Sequence, residues 1–371
     1  MEKTIVVSAV NLKVGGTLAI LRDCLNCLSR LAESGGYRIV ALVYDKNSAN
    51  YPNIEYIEMQ WPKKNWLNRL WCEYVSMKKI SKRLSPVYLW LSLHDTTPSV
   101  VAQRRAVYCH NSFPFYKWKA RELFFSPKIV LFALFSRYIY RINIHKNKYL
   151  VVQQQWFKDA FIKMFELSDN EIIVAPPSKK GQAVKPAVDT SVKETKSFFY
   201  PAMSDSHKNF ECICEAVRIL ETEYAVKGFE VNVTIRGDEN KYTKWVYRKW
   251  HSRTENLRFV GYLDKTKLYQ YYESCDALIF PSKVETWGLP ITEFAAFDKP
   301  MLLSDLPYAH ETAGGSRQVA FFDPESPREL ALQMKGLIEG DTSFLTAVEK
   351  PLLVPPVARS WDELFEKLLK S

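Results

Sequence analysis

The chain has 371 residues, 47% of them hydrophobic and 25% charged, with a formal net charge of +10. That balance is ordinary for a globular protein and supplies apolar material for two cores, at ~150 residues per domain. The longest apolar run, Ile129–Phe135, falls far short of the ~20 residues that a membrane-spanning helix needs.

In chain order, the opening run Met1–Val10 flows directly into Asn11 and Lys13 and reads as a buried strand rather than a signal peptide. Strand-like runs then alternate with helical patterns. In the first half they are Thr4–Val10, Tyr37–Tyr44, Val87–Leu93, Ala106–Cys109, Tyr149–Gln153 and Glu171–Ala175. In the second half they are Ser197–Pro201, Glu230–Arg236, Leu257–Val260, Ala277–Phe280, Pro300–Ser304 and Gln318–Phe322. Several are continuous apolar runs, as parallel strands covered on both faces require. The alternation predicts an α/β protein with two doubly wound, Rossmann-like domains. The expected boundaries are 1–178 for the first domain, 179–194 for a linker and 195–354 for the second domain. A terminal helix over 355–371 is expected to pack back on the first. The linker reading rests on Pro176–Thr190, rich in Pro, Lys and small residues and without periodicity. Ser360, with Glu363 three residues on, has capping-box spacing. Cys24-x-x-Cys27 lies in a helical pattern with no second pair to complete a zinc site. The seven scattered cysteines read as buried thiols of a reducing, cytosolic protein.

Charge is unevenly spread. Residues 1–180 hold 27 Lys+Arg against 13 Asp+Glu, and residues 181–371 hold 24 against 28. A balance of +14 against −4 predicts that the first half faces something anionic. Two segments of that half interleave aromatic and basic residues. In Trp61–Ile80, the residues Trp66, Leu67, Leu70, Trp71, Tyr74 and Met77 recur at helical spacing. Lys117–Arg137 is the other. Both suit the surface of an anionic membrane, and both suit a core helix with solvated basic edges.

The richest stretch runs from Asn256 to His310. The strand Ala277–Phe280 ends at Pro281-Ser282, and a loop comes next with Glu285-Thr-Trp-Gly-Leu-Pro-Ile-Thr-Glu293. Pro290 suits the first position of a helix. That helix start would turn free N–H groups toward the carboxyl edge of the sheet, where a diphosphate can bind. Gly288 lets the backbone come close. Glu285 and Glu293 flank the turn, and carboxylates accept hydrogen bonds from sugar and ribose hydroxyls.

This segment resembles the donor site of family 4 glycosyltransferases, which share the GT-B fold: two Rossmann-like domains facing across a cleft. The two glutamates separated by seven residues match the family's motif. The resemblance implies that Glu285 contacts the donor sugar and Glu293 the nucleotide ribose, with Trp287, Gly288 and Leu289 lining the donor. It also implies transfer with retention of configuration, without metal or other cofactor, and the chain has no Asp-x-Asp. Phe198–Glu211 is similar to the family's first strand and loop of the nucleotide-binding domain, and Lys208 matches the lysine that neutralises the diphosphate. The arginine that the family supplies a few residues earlier is missing, since Ala202, Met203, Ser204, Asp205 and Ser206 stand there. Gly237 in Arg236–Asn240 matches a glycine turn beside the nucleotide. Gly261, Tyr262 and Leu263 match the loop whose backbone faces the nucleobase. In the first domain Gly15 and Gly16 match a loop near the donor phosphate and the acceptor, and His110 matches a histidine beside the donor sugar. His94, Asp95 and Asn111 form the acceptor-side cluster. For His94, a structural hydrogen-bonding role stands beside the acceptor role.

The wording of Phe198–Glu211 looks most like bacterial enzymes of O-antigen or capsule assembly. The implied partners are a UDP- or GDP-linked sugar, a lipid-diphosphate-linked saccharide acceptor and the anionic inner face of the cell membrane. Alternatives on the same fold are a nucleotide-sugar epimerase and a transferase with a soluble acceptor. A nucleic-acid partner is disfavoured by the intact donor motif. A dehydrogenase is disfavoured because no Gly-x-Gly-x-x-Gly comes after a strand.

Overall fold

A computed structural model of the chain describes residues 2–13, 15–177 and 195–370. The expected linker, 179–194, lies outside the described residues. The first part of the chain forms β1 (Lys3–Ala9), α1 (Gly15–Glu33), β2 (Tyr37–Val43), β3 (Ile54–Glu58), α2 (Trp66–Trp71), α3 (Met77–Arg83), β4 (Val87–Ser92), β5 (Arg104–Tyr108), α4 (Glu122–Phe125), α5 (Pro127–Arg141), β6 (Tyr149–Val152), α6 (Gln155–Phe165) and β7 (Ile172–Val174). The rest forms β8 (Lys196–Tyr200), α7 (Phe210–Thr222), β9 (Phe229–Val233), α8 (Lys241–Trp250), β10 (Leu257–Phe259), α9 (Lys265–Ser274), β11 (Ala277–Phe280), α10 (Leu289–Ala295), β12 (Met301–Ser304), α11 (Pro307–Thr312), β13 (Val319–Phe322), α12 (Pro327–Glu339) and α13 (Trp361–Leu369).

All twelve strand-like runs of the sequence are strands. The thirteenth, β3, pairs with β2 at the sheet edge and is half exposed, with Glu55 and Glu58 in it. Edge strands of this kind carry charge and lack a continuous apolar run.

The strands form two parallel sheets, ordered β3-β2-β1-β4-β5-β6-β7 and β10-β9-β8-β11-β12-β13. In the first, successive residues of β1 feed opposite faces, as the two-residue strand period dictates. Ile5 and Val7 join Leu25, Leu28, Leu364 and Phe365 on one face. Val6 joins Val40, Cys72, Met77 and Trp90 on the other. The second sheet buries aromatic rings: Tyr200 packs edge-on against Phe280 at 5.5 Å and beside Phe210 at 5.0 Å. Each buried side chain of this size stabilises the fold by ~1.5–3 kcal/mol.

The chain divides into two compact units: Met1–Asn111, Phe135–Lys179 and Leu352–Ser371 in one, Ser112–Leu134 and Lys180–Pro351 in the other. The terminal segment rejoins the first unit through a bridge from Val174 to Val357 and through α13 against α1. The Ser360 hydroxyl accepts from the Glu363 amide at 3.1 Å. The return bond of the expected box comes instead from the Arg359 amide to Glu363, at 2.8 Å.

One segment departs from the expected 1–178 block. Residues 112–134 group with the second unit, for reasons of packing and charge. Tyr116 and Ala133, with Phe113, Trp118 and Ile129 around them, pack on Val284. The Tyr116 hydroxyl donates to buried Glu122 at 2.6 Å, and Arg121 pairs with Glu211. Four cations of the basic half (Lys117, Lys119, Arg121 and Lys128, against the single acid Glu122) therefore belong with the second unit.

Candidate functional site

In each sheet the strand order reverses once, between β1 and β4 and between β8 and β11. Connections leave in opposite directions there and open a crevice at the carboxyl edge, where ligands of open α/β sheets bind. In the second unit this brings together the loops after β8 and β11. A 3-10 turn, Ser206–Lys208, lies after β8, and Asn209 then takes a left-handed conformation before α7. The loops are stitched by backbone and side chain. Asn209 Nδ2 donates to the carbonyls of Pro281 (3.1 Å) and Pro324 (2.8 Å), and the Lys283 amide donates to the His207 carbonyl at 2.9 Å. The Tyr200 hydroxyl holds the Lys208 carbonyl at 2.8 Å.

On this frame Lys208 Nζ and Glu285 Oε1 meet at 2.5 Å, with side chains 15% and 14% exposed. Asp205 faces the same pair. Burial pushes its carboxyl up from the ordinary value, while Lys208 pulls it down and Glu285 pushes it up again. The neighbouring His207 is buried edge-on to Phe113 at 5.1 Å, and burial holds its imidazole neutral.

Glu293 lies on α10, where the Tyr272 hydroxyl donates to it at 3.0 Å. Burial raises its carboxyl; Tyr272 and Lys265 oppose that. The helix begins at Leu289, one residue before the expected Pro290, and is seven residues long. Gly288 caps it at φ +86°, a left-handed value that glycine adopts without strain. Trp287 folds back on this helix, its Nε1 donating to Thr292 at 2.8 Å, and Leu289 is exposed. Gly237 packs on Tyr247 so closely that a Cβ would come within 2.3 Å of it. Gly261 lies against the stem of Arg236, with Tyr262, 84% exposed, and half-buried Leu263 next along the chain.

The first unit assembles the other sequence candidates. Gly15, at φ +64°, and Gly16 begin α1 just after β1. Asp95, in a left-handed conformation after β4, accepts from the His110 amide at 2.7 Å and lies 3.6 Å from His110 Nε2. Asn111, next along the chain, is half-buried. His94 is only 1% exposed. Its Nδ1 faces Ser92 (3.2 Å), Thr96 (3.3 Å) and Glu73 (3.4 Å). Burial lowers its pKa to about 4, Glu73 raises it and Arg69 lowers it further. Of its two sequence readings, these contacts supply the structural one.

Glu73 was not among the sequence candidates. It is fully buried on a π-turn, Cys72–Ser76, that joins α2 to α3. It accepts from Arg69 Nε at 2.8 Å and from the Thr96 hydroxyl at 2.6 Å, and Arg69 also donates to the His94 carbonyl at 2.9 Å. A π-turn adds one residue to the helical repeat and re-aims the side chains beyond it, a shift that no hydrophobic period announces. Lys283 and Glu211 were missed as well. Lys283 is buried 3.1 Å from Glu325 and 4.0 Å from Glu211.

The two aromatic segments keep exposed faces. Trp66 is 47%, Leu67 78% and Trp71 60% exposed. On α5, exposed Leu131, Leu134, Phe135 and Tyr138 recur at three- and four-residue steps, one helix face, and exposed Ile142 comes just past the helix end. Lys119 pairs with Glu325 and Arg121 with Glu211, so neither is a free surface cation. Among the described residues no helix is long and apolar enough to cross a membrane.

Comparison with known proteins places these features in context. Residues 183–349 match the family described as glycosyl transferases group 1. The chain is 21% identical over 220 residues to the O-antigen chain mannosyltransferase RfbU of Salmonella typhimurium, a match spanning 59% of this chain and 56% of that one. The chain thus spans little more than half the length of the relative it matches. Among solved structures, a sucrose-phosphate synthase from Thermosynechococcus elongatus superposes with a TM-score of 0.65 at 13% identity, over 99% of this chain and 94% of the other. Anabaena HepE, solved with UDP-glucose, superposes with a TM-score of 0.57 at 14% identity, over 92% of each chain.

Proposed function

We propose that the chain, which has the fold of GT-B glycosyltransferases and matches the group 1 family over residues 183–349, is a glycosyltransferase that moves a sugar, with retention of configuration, from a UDP- or GDP-linked donor to a lipid-diphosphate-linked or saccharide acceptor in bacterial O-antigen or capsule synthesis. The observation that carries this reading is the Lys208–Glu285 pair at the second switch point. As the bond to the sugar breaks, negative charge grows on the departing nucleoside diphosphate, and Lys208 stabilises it there. Stabilisation of developing charge by a fixed group is usually the largest catalytic effect. Glu285, its lysine turned to phosphate, accepts hydrogen bonds from sugar hydroxyls, and Glu293 does the same for the ribose. Gly237, Gly261, Tyr262 and Leu263 line the nucleotide side, and Trp287, Gly288 and Leu289 the sugar side. In the first unit, the backbone at Gly15 and Gly16 suits a phosphate, and His110, oriented by Asp95, suits a sugar hydroxyl. Asn111 supports the acceptor side, while His94 stays within its buried network.

The mannosyltransferase relative in O-antigen synthesis and the neighbour solved with UDP-glucose support the substrate class. We place the protein peripherally on the cytoplasmic face of the membrane. The exposed Trp66, Leu67 and Trp71 beside Lys63 and Lys64 suit insertion at an anionic surface.

Charge neutralisation by Lys208 needs no metal. The test is a panel of UDP- and GDP-sugars assayed with and without EDTA, with the product's anomeric configuration read by NMR. One donor should turn over undiminished in EDTA, with its configuration kept. Loss of activity that Mn²⁺ restores would overturn the metal-independent mechanism. Free epimerised donor without acceptor would favour the epimerase.

A further inference from the structure

A diphosphate brings two anionic groups to the carboxyl edge of the second sheet, and the cations there are few. Lys208 is held by Glu285, and Asp205 faces the pair. The loop Ala202–Ser206 has no basic residue. The seven-residue α10 offers only a short dipole.

The next loop along the edge comes after β9, and three side-chain bonds tie it to the loop after β8. The Thr234 hydroxyl accepts from the Ala202 amide and donates to its carbonyl, each at 2.8 Å. Asn240 Nδ2 donates to the Ser204 carbonyl at 2.6 Å. Between these ties stands Arg236. Its backbone is fixed by Glu239, whose carboxylate accepts from the Arg236 amide at 2.6 Å and the Gly237 amide at 3.0 Å. Its stem lies on Gly261, where a Cβ would come within 2.5 Å of Nε and 2.7 Å of Cγ. The side chain is exposed. Among the described residues no carboxylate pairs with its guanidinium, whereas Lys208 and Lys283 on the neighbouring loops are both paired. An ordered stem with a free planar fork fits a phosphate oxygen pair.

We infer that Arg236 is the second cation of the donor site and binds the diphosphate together with Lys208. This rests on the reading of this edge as the donor site. Lys208 then shares its charge between Glu285 and the ligand, and the guanidinium from the adjacent loop supplies the rest.

The test compares wild type, Arg236→Gln and Arg236→Lys for binding of UDP and GDP by calorimetry, and of uridine and guanosine by saturation-transfer NMR. Unchanged melting temperatures establish that the variants are folded. R236Q should weaken the bound diphosphate ~10-fold or more, the scale of one charged hydrogen bond. It should leave the nucleoside unaffected and flatten the salt dependence, and R236K should recover part of the loss. Wild-type affinity in R236Q would overturn the inference, as would equal weakening of nucleoside and diphosphate, which marks a base contact. A wild type that binds neither UDP nor GDP is a separate outcome: it removes the donor-site reading, and this inference with it.

Discussion

At the switch point of the second sheet, Lys208 and Glu285 stand 15% and 14% exposed, held from below by backbone bonds between their loops. At the switch point of the first, His94 is 1% exposed and sealed by Glu73 and Arg69 from the α2–α3 run. Both sheets reverse strand order and so gather polar groups at one edge. Topology decides where polar groups meet; the cover above them decides their role. An accessible ion pair can exchange its partner for a ligand. A buried one is part of the fold, because exposing either partner alone is costly.

The sharpest way to break this comparison is to remove Glu73. Glu73→Gln leaves Arg69 without its carboxylate inside the unit, and stability should fall by ~3–5 kcal/mol. Urea denaturation measures it, and an unchanged midpoint would show that the network carries no weight.

Acid comes next. Burial depresses the His94 pKa from 6.5 to about 4. As pH falls, the unfolded chain takes up this proton first. The contribution is therefore whole above pH 6.5 and lost as pH drops toward 4, about 3 kcal/mol in all. Glu293 in the second unit runs the opposite way. Its raised carboxyl favours the fold at low pH, and that contribution is lost as pH rises through the raised value. Unfolding midpoints from pH 4 to 7 should show a slope that His94→Asn flattens and a counter-slope that Glu293→Gln removes. Slopes unmoved by either change would refute the assignment.

Glu285→Gln keeps the shape of the accessible pair and loses its charge. Transfer should drop ~100-fold, about 3 kcal/mol of barrier, with the melting temperature nearly unchanged. A folded variant with near-normal turnover would take Glu285 out of the site.

The smallest effect concerns the surface. Replacing Lys63 and Lys64 with Ser should weaken binding to anionic vesicles by ~1 kcal/mol per residue, and added salt should erase the difference. Lys119 and Arg121 are engaged with Glu325 and Glu211 and are poor targets for this test. A wild type that does not float with anionic vesicles at low salt would end the membrane reading.

Much of this was legible from the residues. Strand-like runs between helical patterns announced twelve strands, several of them continuous apolar runs because parallel strands covered on both faces leave little room for polar positions. Glu285, Gly288, Pro290 and Glu293 announced a loop and a helix start, because turn and cap chemistry is local. The features that escaped depend on contacts remote in sequence. β3, Ile54-Glu-Tyr-Ile-Glu58, breaks its short apolar run with two glutamates on a half-exposed edge. Glu73 reaches His94 only because a π-turn shifts the phase of its helix. The segment 112–134 read as part of the first domain because nothing within it reveals that Arg121 and Tyr116 find Glu211 and Val284 far along the chain.

The excursion of residues 112–134 also bears on how the two units can be separated and recombined. The polypeptide passes from one unit to the other after Asn111, Leu134, Lys179 and Pro351. A single cut therefore liberates neither half intact. Residues 195–351 excised alone would leave Val284 bare and Glu211 without Arg121. A hybrid that grafts this second unit onto the first unit of another protein would need to carry the 112–134 insert along, as a second, non-contiguous piece of the same inheritance.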